Sequence, residues 1–117
     1  MIDIFEYKGE DFRAVLESGE WKIGLLRYSE RFSSFKVLER HLLTDEVFVL
    51  LKGKAKLFIK DENDNTLEYK LKKQSVYNVK KGVWHHIKVS KNATVLVVEN
   101  RNTSKENTER RNINEHS

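Results

Sequence analysis

The chain has 117 residues, of which 38% are hydrophobic and 34% are charged. This length and this balance predict one soluble globular domain with a single core. The sequence contains no cysteine, which excludes disulfide bonds and thiolate metal sites and favours the reducing cytoplasm as the location.

Two classes of partner are not expected from the sequence. No apolar run approaches the roughly 18 residues that a membrane span requires, and the N-terminus MIDIFEYKGE lacks the basic and apolar regions of a signal peptide. The net charge is +4, but the basic residues are spread along the chain and the densest spots, such as Lys72-Lys73, are only pairs. A nucleic-acid surface usually requires a concentrated basic stripe. We therefore expect no membrane and no nucleic-acid partner.

A short helix is predicted near the N-terminus, over residues 10–19. Phe12, Val15 and Leu16 recur at helical spacing, Asp11 is a suitable N-cap, and the segment ends on a glycine.

From residue 21 onward the apolar residues alternate with polar ones, which is typical of strands. The predicted strands are WKIGLLRY, FKVLERHL, EVFVLL, KAKLFIK, LEYKL, SVYNV, HHIKV and ATVLVVEN. About eight short strands in roughly 80 residues predict an antiparallel sandwich or barrel.

The composition divides the chain into three segments: an N-terminal extension with the short helix (1–20), a β-barrel (21–100) and a polar tail (101–117). The tail holds one aliphatic residue, Ile113, among asparagine, serine, threonine and charged residues. Such a segment buries too little surface to offset its ordering entropy unless it lies against something. We expect it to be flexible, or to lie over the barrel or a partner.

Glu39 and His41 are the first candidates for chemistry. They are two residues apart on a predicted strand, so they share a face with Phe35 and Val37, which marks that face as interior. A carboxylate and an imidazole in an apolar interior are costly to desolvate without partners. A divalent metal ion would satisfy both.

Two further ligand types are predicted to point into the same interior. Glu46 follows a predicted turn at residues 42–44 and shares a face with Phe48 and Leu50. His85 opens a later strand, where Ile87 has the same parity.

Two imidazoles and up to two carboxylates suit a divalent transition metal such as Zn, Fe, Mn, Ni or Co, and do not select one of them. The pattern places no further histidine, lysine or carboxylate in the interior, so no catalytic residue is named beyond the ligands. His86 is the nearest candidate for an acid–base residue, but its parity predicts the solvent-facing side of the sheet.

Each of these residues also has an ordinary explanation. A single histidine on a strand is more often hydrogen-bonded than bound to a metal. Glu39 and Arg40 are consistent with cross-strand ion pairs, and Asp45-Glu46 with a solvated turn. The combination of ligand types at these spacings favours the metal site.

The sequence resembles the cupin superfamily in two motifs. The segment from Glu39 to Gly53 is similar to the first cupin motif, HxH, three or four residues, E, six residues, G. The segment from Lys80 to His85 is similar to the second, PxGxxH, with lysine in place of the proline.

The resemblance implies an all-β fold, a cupin-type antiparallel jelly-roll β-barrel of a small microbial kind, with a metal in its lumen. His41, Glu46 and His85 match three of the four cupin ligands, and Glu39 occupies the position of the fourth. The resemblance further implies a homodimer.

The cupin fold hosts many reactions and does not select one. The first hypothesis is a metal-dependent enzyme, such as an isomerase, lyase or dioxygenase. It would act on a small polar metabolite, such as a sugar or a keto or hydroxy acid. A non-catalytic module that binds a metal or small ligand, and a structural role with an empty barrel, are the alternatives.

Overall fold

The computed structural model describes residues 1–113, which form an almost entirely β structure. Two short 3₁₀ helices lie at Glu30–Phe32 and Lys105–Asn107. The ten strands are β1 (Phe12–Ser18), β2 (Trp21–Arg27), β3 (Val37–His41), β4 (Glu46–Lys52), β5 (Ala55–Lys60), β6 (Thr66–Lys70), β7 (Val76–Val79), β8 (His85–Val89), β9 (Thr94–Asn100) and β10 (Thr108–Asn112).

The strands form two five-stranded antiparallel sheets that pack face to face. One sheet has the order β1-β2-β9-β4-β7 and the other the order β10-β3-β8-β5-β6. The predicted antiparallel all-β fold is therefore confirmed.

The core lies between the two sheets and follows from the alternation in the sequence. Phe48, Val95 and Val97 face inward from the first sheet, and Leu57 and Ile87 from the second. Burying a side chain of this size contributes about 1.5–3 kcal/mol relative to leaving it exposed. The site described below lies at the end of this layer where β3 and β9 finish and β4 and β8 begin.

The predicted helix over residues 10–19 is wrong, because this segment forms β1. A β-bulge between Ala14 and Leu16 shifts the register against β2 and changes the parity of the apolar residues. The bulge thus gives a strand the apolar spacing of a helix. Asp11 adopts a left-handed φ of 67° and accepts a hydrogen bond from Ser29 Oγ, while Gly19, at φ 58°, begins the tight turn into β2.

Part of the polar C-terminal segment is an edge strand. β10 pairs along β3, with Arg110 opposite Glu39 and Arg111 opposite Leu38. The Arg111 guanidinium is buried, lies 5.0 Å from the ring centroid of Trp84, and pairs with Asp64. Up to residue 113 the tail therefore lies over the barrel, and residues 114–117 are outside the described part of the chain.

Several expectations concern the surroundings of the molecule. No helix in residues 1–113 is long and apolar enough to cross a membrane. The homodimer, the cytoplasmic location and the absence of a nucleic-acid partner stay predictions.

Candidate metal centre

Three of the four predicted ligands meet in the interior of the sandwich. His41 ends β3, Glu46 begins β4 and His85 begins β8. The Nε2 atoms of His41 and His85 lie 3.1 and 2.9 Å from the same oxygen, Oε1 of Glu46. Each of the three residues offers a ligand atom within 4.8 Å of the other two.

The turn before β8 is fixed to the strands that carry the other two candidate ligands. The amide of Gly82 donates to the carbonyl of His41 at 2.8 Å, and the φ of Gly82 is 80°, a conformation that favours glycine. The amide of Lys81 donates to Oδ1 of Asp45, next to Glu46, at 2.9 Å. These bonds place the beginning of β8 beside the β3–β4 connection.

Both imidazoles are held through their second nitrogen. Nδ1 of His85 lies 2.9 Å from the carbonyl oxygen of Val83, and Nδ1 of His41 lies 2.9 Å from Oγ1 of Thr108 on β10. A carbonyl only accepts, so Nδ1 of His85 carries the proton and, in the neutral ring, Nε2 presents its lone pair to Glu46. A lone pair and a carboxylate oxygen repel unless a cation, a proton or a metal ion, satisfies both. This donor set fits a divalent metal.

The electrostatics favour an ionised carboxylate at the centre. Burial alone raises the pKa of Glu46, but the hydrogen bonds and charges of His41 and His85 outweigh it and lower the pKa to about 2. Burial lowers the pKa of His41, but the hydrogen bond and the charge of Glu46 outweigh it, and the net pKa is above the ordinary value. Glu46 therefore favours the positively charged form of His41.

Glu99 is a second buried carboxylate beside the centre. The register that pairs Val47 with Val98 places Glu99 opposite Glu46 across β4 and β9. Lys22, its neighbour on β2, approaches Oε1 of Glu99 to 3.8 Å. Burial and the negative charge of Glu46 raise the pKa of Glu99 to about 7. Glu99 thus holds or releases a proton near neutral pH.

Glu39 lies outside the three-residue group. Its Oε1 contacts Nη2 of Arg31 at 3.1 Å and Nε of Arg110 at 2.9 Å. The backbone register nevertheless places Glu39 directly opposite His85. Its predicted role as the fourth ligand stays a prediction. Glu39 does form a cross-strand ion pair, as the alternative explanation expected, but its partner is Arg110 on β10.

His86, expected on the wet face, is buried instead. The loop before β3 covers that face of the sheet, and the ring of Phe35 stacks on His86 at 5.8 Å between centroids. The carbonyl oxygen of Ser34 lies 2.7 Å from its Nε2. Burial lowers the pKa of His86, so the ring is held neutral and away from the centre.

Comparison with known proteins identifies the fold. No protein-family model and no curated protein matches the sequence. Among solved structures, a cupin-2 domain protein from Shewanella frigidimarina superposes with a TM-score of 0.62 at 20% identity, over 81% of this chain and 85% of that one. This chain has the cupin fold. The resemblance predicted from the sequence motifs is confirmed at that level.

Two other cupin-fold structures are metalloproteins. Oxalate decarboxylase from Bacillus subtilis, described with Mn(II) centres, superposes with a TM-score of 0.59 at 17% identity, over 78% of this chain and 24% of its own. A structure of Fe(II)-HppE superposes with a TM-score of 0.56 at 14% identity, over 75% of this chain and 48% of its own. The chain thus spans about a quarter of the decarboxylase and half of HppE.

A cavity of about 680 Å³ leads from the surface of the cupin fold to His41, Glu46 and His85. The buried residues at its floor include Glu99 as well. The exposed residues around its mouth come from the segment 30–37 and from the segment 103–110.

Two residues of the cupin site were missed by the sequence analysis. Glu99 has the same parity as Val95 and Val97, so strand alternation would have placed it in the interior, and the expectation of no further interior carboxylate is wrong. Thr108, which holds His41, lies in the polar segment that gives no strand signal by composition.

Proposed function

We propose that this cupin-fold chain is a metal-dependent enzyme that acts on a small polar metabolite, a sugar or a keto or hydroxy acid. His41, Glu46 and His85 would hold one divalent transition-metal ion. The observation that carries the proposal is the convergence of two imidazole Nε2 atoms on one carboxylate oxygen at the floor of a 680 Å³ cavity.

The donor set supports a metal of the borderline class. Two imidazoles and one carboxylate are ligands common to Zn, Fe, Mn, Ni and Co sites. When bound, such an ion would supply Lewis-acid chemistry, which polarises a substrate oxygen.

The chain's own residues supply orientation and proton handling. Val83 and Thr108 fix the two imidazole rings, as supporting hydrogen bonds do in metal sites. Glu99 is buried beside Glu46 with its pKa raised to about 7 by burial and by the charge of Glu46, so it can hold a proton at its carboxyl group or release it. The burial of the floor limits water around the reacting atoms.

Metal content after reconstitution tests the proposal. The purified protein is stripped with a chelator, incubated with Mn²⁺, Fe²⁺, Co²⁺, Ni²⁺ or Zn²⁺ in turn, desalted and analysed for metal and protein. We expect about one ion per chain in the wild type with at least one of these metals. His85→Ala should lose affinity by more than the roughly 10–100-fold that removal of a supporting residue costs.

His86→Asn is the matched control, since this adjacent histidine points away from the centre. It should retain the metal wherever circular dichroism shows that it is folded. A wild type that retains none of the five metals would contradict the proposal. Metal loss in His85→Ala without loss of small-ligand affinity would favour the non-catalytic binding module.

A further inference from the structure

Charge is segregated along the cavity. The floor carries the buried carboxylates of Glu46 and Glu99 beside the two ligand histidines. Four exposed basic residues line the mouth, against the two acidic residues Glu30 and Glu39; they are Arg31, Lys36, Lys105 and Arg110. The mouth is therefore basic overall, and a divalent ion at the floor would make the whole cavity attractive to anions.

Two of these basic side chains converge on one point. Arg31 comes from the 3₁₀ helix that covers the mouth, and Arg110 comes from β10, on the other side. Their guanidinium groups contact the same carboxylate oxygen, Oε1 of Glu39, at 3.1 and 2.9 Å. Each guanidinium has five N–H donors in a planar fork that matches a carboxylate or a phosphate. Glu39 thus occupies a place where an anionic group of a ligand would be held.

This arginine pair lies close to the proposed metal centre. Glu39 is directly opposite His85 in the β3–β8 register. Side chains of directly opposed residues have Cβ atoms about 4.5–5.5 Å apart. A ligand of a few carbon atoms can therefore reach from the centre to the two guanidinium groups.

We propose, on the basis of the function proposed above, that the substrate is a small hydroxy or oxo acid with a second anionic group at its far end. The hydroxy- or oxo-acid end faces His41, Glu46 and His85, and the second carboxylate or phosphate binds between Arg31 and Arg110. A neutral sugar offers these two cations no charge in place of the Glu39 carboxylate, so the basic mouth favours acids among the polar metabolites.

Glu39 has a specific role in this arrangement. Its carboxylate competes with the ligand for the two guanidinium groups and keeps them in position before the ligand arrives. Glu39→Gln removes the competing charge and keeps an oxygen acceptor of the same shape. This variant should therefore bind the acidic ligand several-fold more tightly than the wild type does, and weaker binding would contradict the proposal.

The decisive experiment compares ligands that differ in one anionic group. Isothermal titration with malate and with 2-hydroxybutanoate, which has a methyl group in place of the far carboxylate, tests the second anionic group. A second pair, 3-phosphoglycerate and glycerate, tests phosphate in the same position. We expect the member with the second anionic group, in at least one pair, to bind about tenfold more tightly, the effect of one good charge-assisted contact.

Arginine variants test whether the preference for a second anionic group depends on the residues at the cavity mouth. Arg31→Gln and Arg110→Gln, separately and combined, should reduce the preference, and the double variant should abolish it. Side-chain exposure of 46% and 58% indicates that both substitutions leave the fold intact. The control is Arg101→Gln, an equally exposed arginine paired with Glu17 and absent from the cavity lining.

The proposal is overturned if the wild type binds both members of each pair equally or binds neither, or if the double variant keeps the preference. Metal analysis of the same samples distinguishes failure of this proposal from failure of the proposed function. If the protein binds no metal but shows the arginine-dependent preference, the anion site is supported and the metal proposal is contradicted. If the protein binds metal but shows no preference, the metal proposal is supported and the anion site is contradicted.

Discussion

Two imidazoles share one buried oxygen of the Glu46 carboxylate. His41 and His85 reach Oε1 from the sheet opposite to that of Glu46. Their other ring nitrogens are held by Thr108 and Val83, so the rings cannot turn away without losing a hydrogen bond. The geometry is thus prepared before any ion binds, which reduces the ordering cost of binding one.

Glu99 gives the metal-free protein a characteristic pH dependence. Its carboxyl has a pKa of about 7 in the folded chain, because burial and Glu46 disfavour its charge, against 4.5 as the ordinary value. The folded state binds this proton more tightly than the unfolded state does, so the free energy of unfolding falls as pH rises from about 4.5 to 7.

Glu99→Gln removes this titration and should raise the free energy of unfolding at pH 8 by about 1–3 kcal/mol, with a much smaller gain at pH 4. Urea denaturation of chelator-treated wild type and variant at both pH values measures the difference. An equal gain at the two pH values, or a loss at pH 8, would show that the ionisation of Glu99 does not oppose folding.

Sequence reasoning could place the candidate metal ligands but not all of the residues that surround them. His41, Glu46 and His85 were predictable because strand parity and motif spacing agree at each position. Glu99 was predictable from parity alone. The contact of Arg31 with Glu39 was not predictable, because an exposed side chain in a single 3₁₀ turn carries no periodic signal.

At the scale of elements, β10 shows how a polar segment becomes an ordered strand. β10 pairs along one edge with β3, and Arg111 lies over Trp84 and pairs with Asp64. Trp84 is also covered by Arg40, whose guanidinium carbon lies 4.5 Å from the ring centroid. Charged contacts to an aromatic ring and to a carboxylate substitute for apolar burial.

Arg111→Ala should lower the free energy of unfolding by about 2–4 kcal/mol, because it removes the buried charge partner of Asp64 and the packing on Trp84. The exposed pair between Arg101 and Glu17 supplies the control, and Arg101→Ala should change stability by less than about 1 kcal/mol. Denaturant unfolding at pH 7 compares the two. Equal effects would mean that β10 is not anchored through Arg111.

The wrong helix prediction over residues 10–19 and the unpredicted strand β10 have physical causes. The β-bulge in β1 gave Phe12, Val15 and Leu16 a helical spacing, and only pairing with β2 shows that the segment is extended. The order of residues 108–112 depends on partners far away in the chain, such as Asp64 and Trp84, that local composition does not reveal. The strands from β2 to β9 were predictable because short runs of alternating or continuous apolar residues are separated by polar turns.

At the scale of the whole molecule, the site joins the two sheets. Glu46 and Glu99 come from one sheet, and His41 and His85 come from the other. An ion held across them binds the folded state and not the separated strands, so metal binding and folding are coupled.

Metal should therefore stabilise the wild type against heat. At about 100 times the dissociation constant, an ion that binds only the folded state adds roughly 2.7 kcal/mol, which is a shift of several degrees in a domain of this size. Thermal unfolding with and without the bound metal measures the shift, and His85→Ala should show little of it. A shift of the same size in wild type and His85→Ala would place the stabilising ion elsewhere.

The most direct test of the metal centre is a crystal structure of the metal-loaded protein with anomalous data collected at the absorption edge of the bound metal. The account predicts one strong anomalous peak within bonding distance, about 2.0–2.3 Å, of Nε2 of His41, Nε2 of His85 and a carboxylate oxygen of Glu46. A protein that crystallises with these three side chains in direct contact and no peak between them, or with its peak at another site, would contradict it.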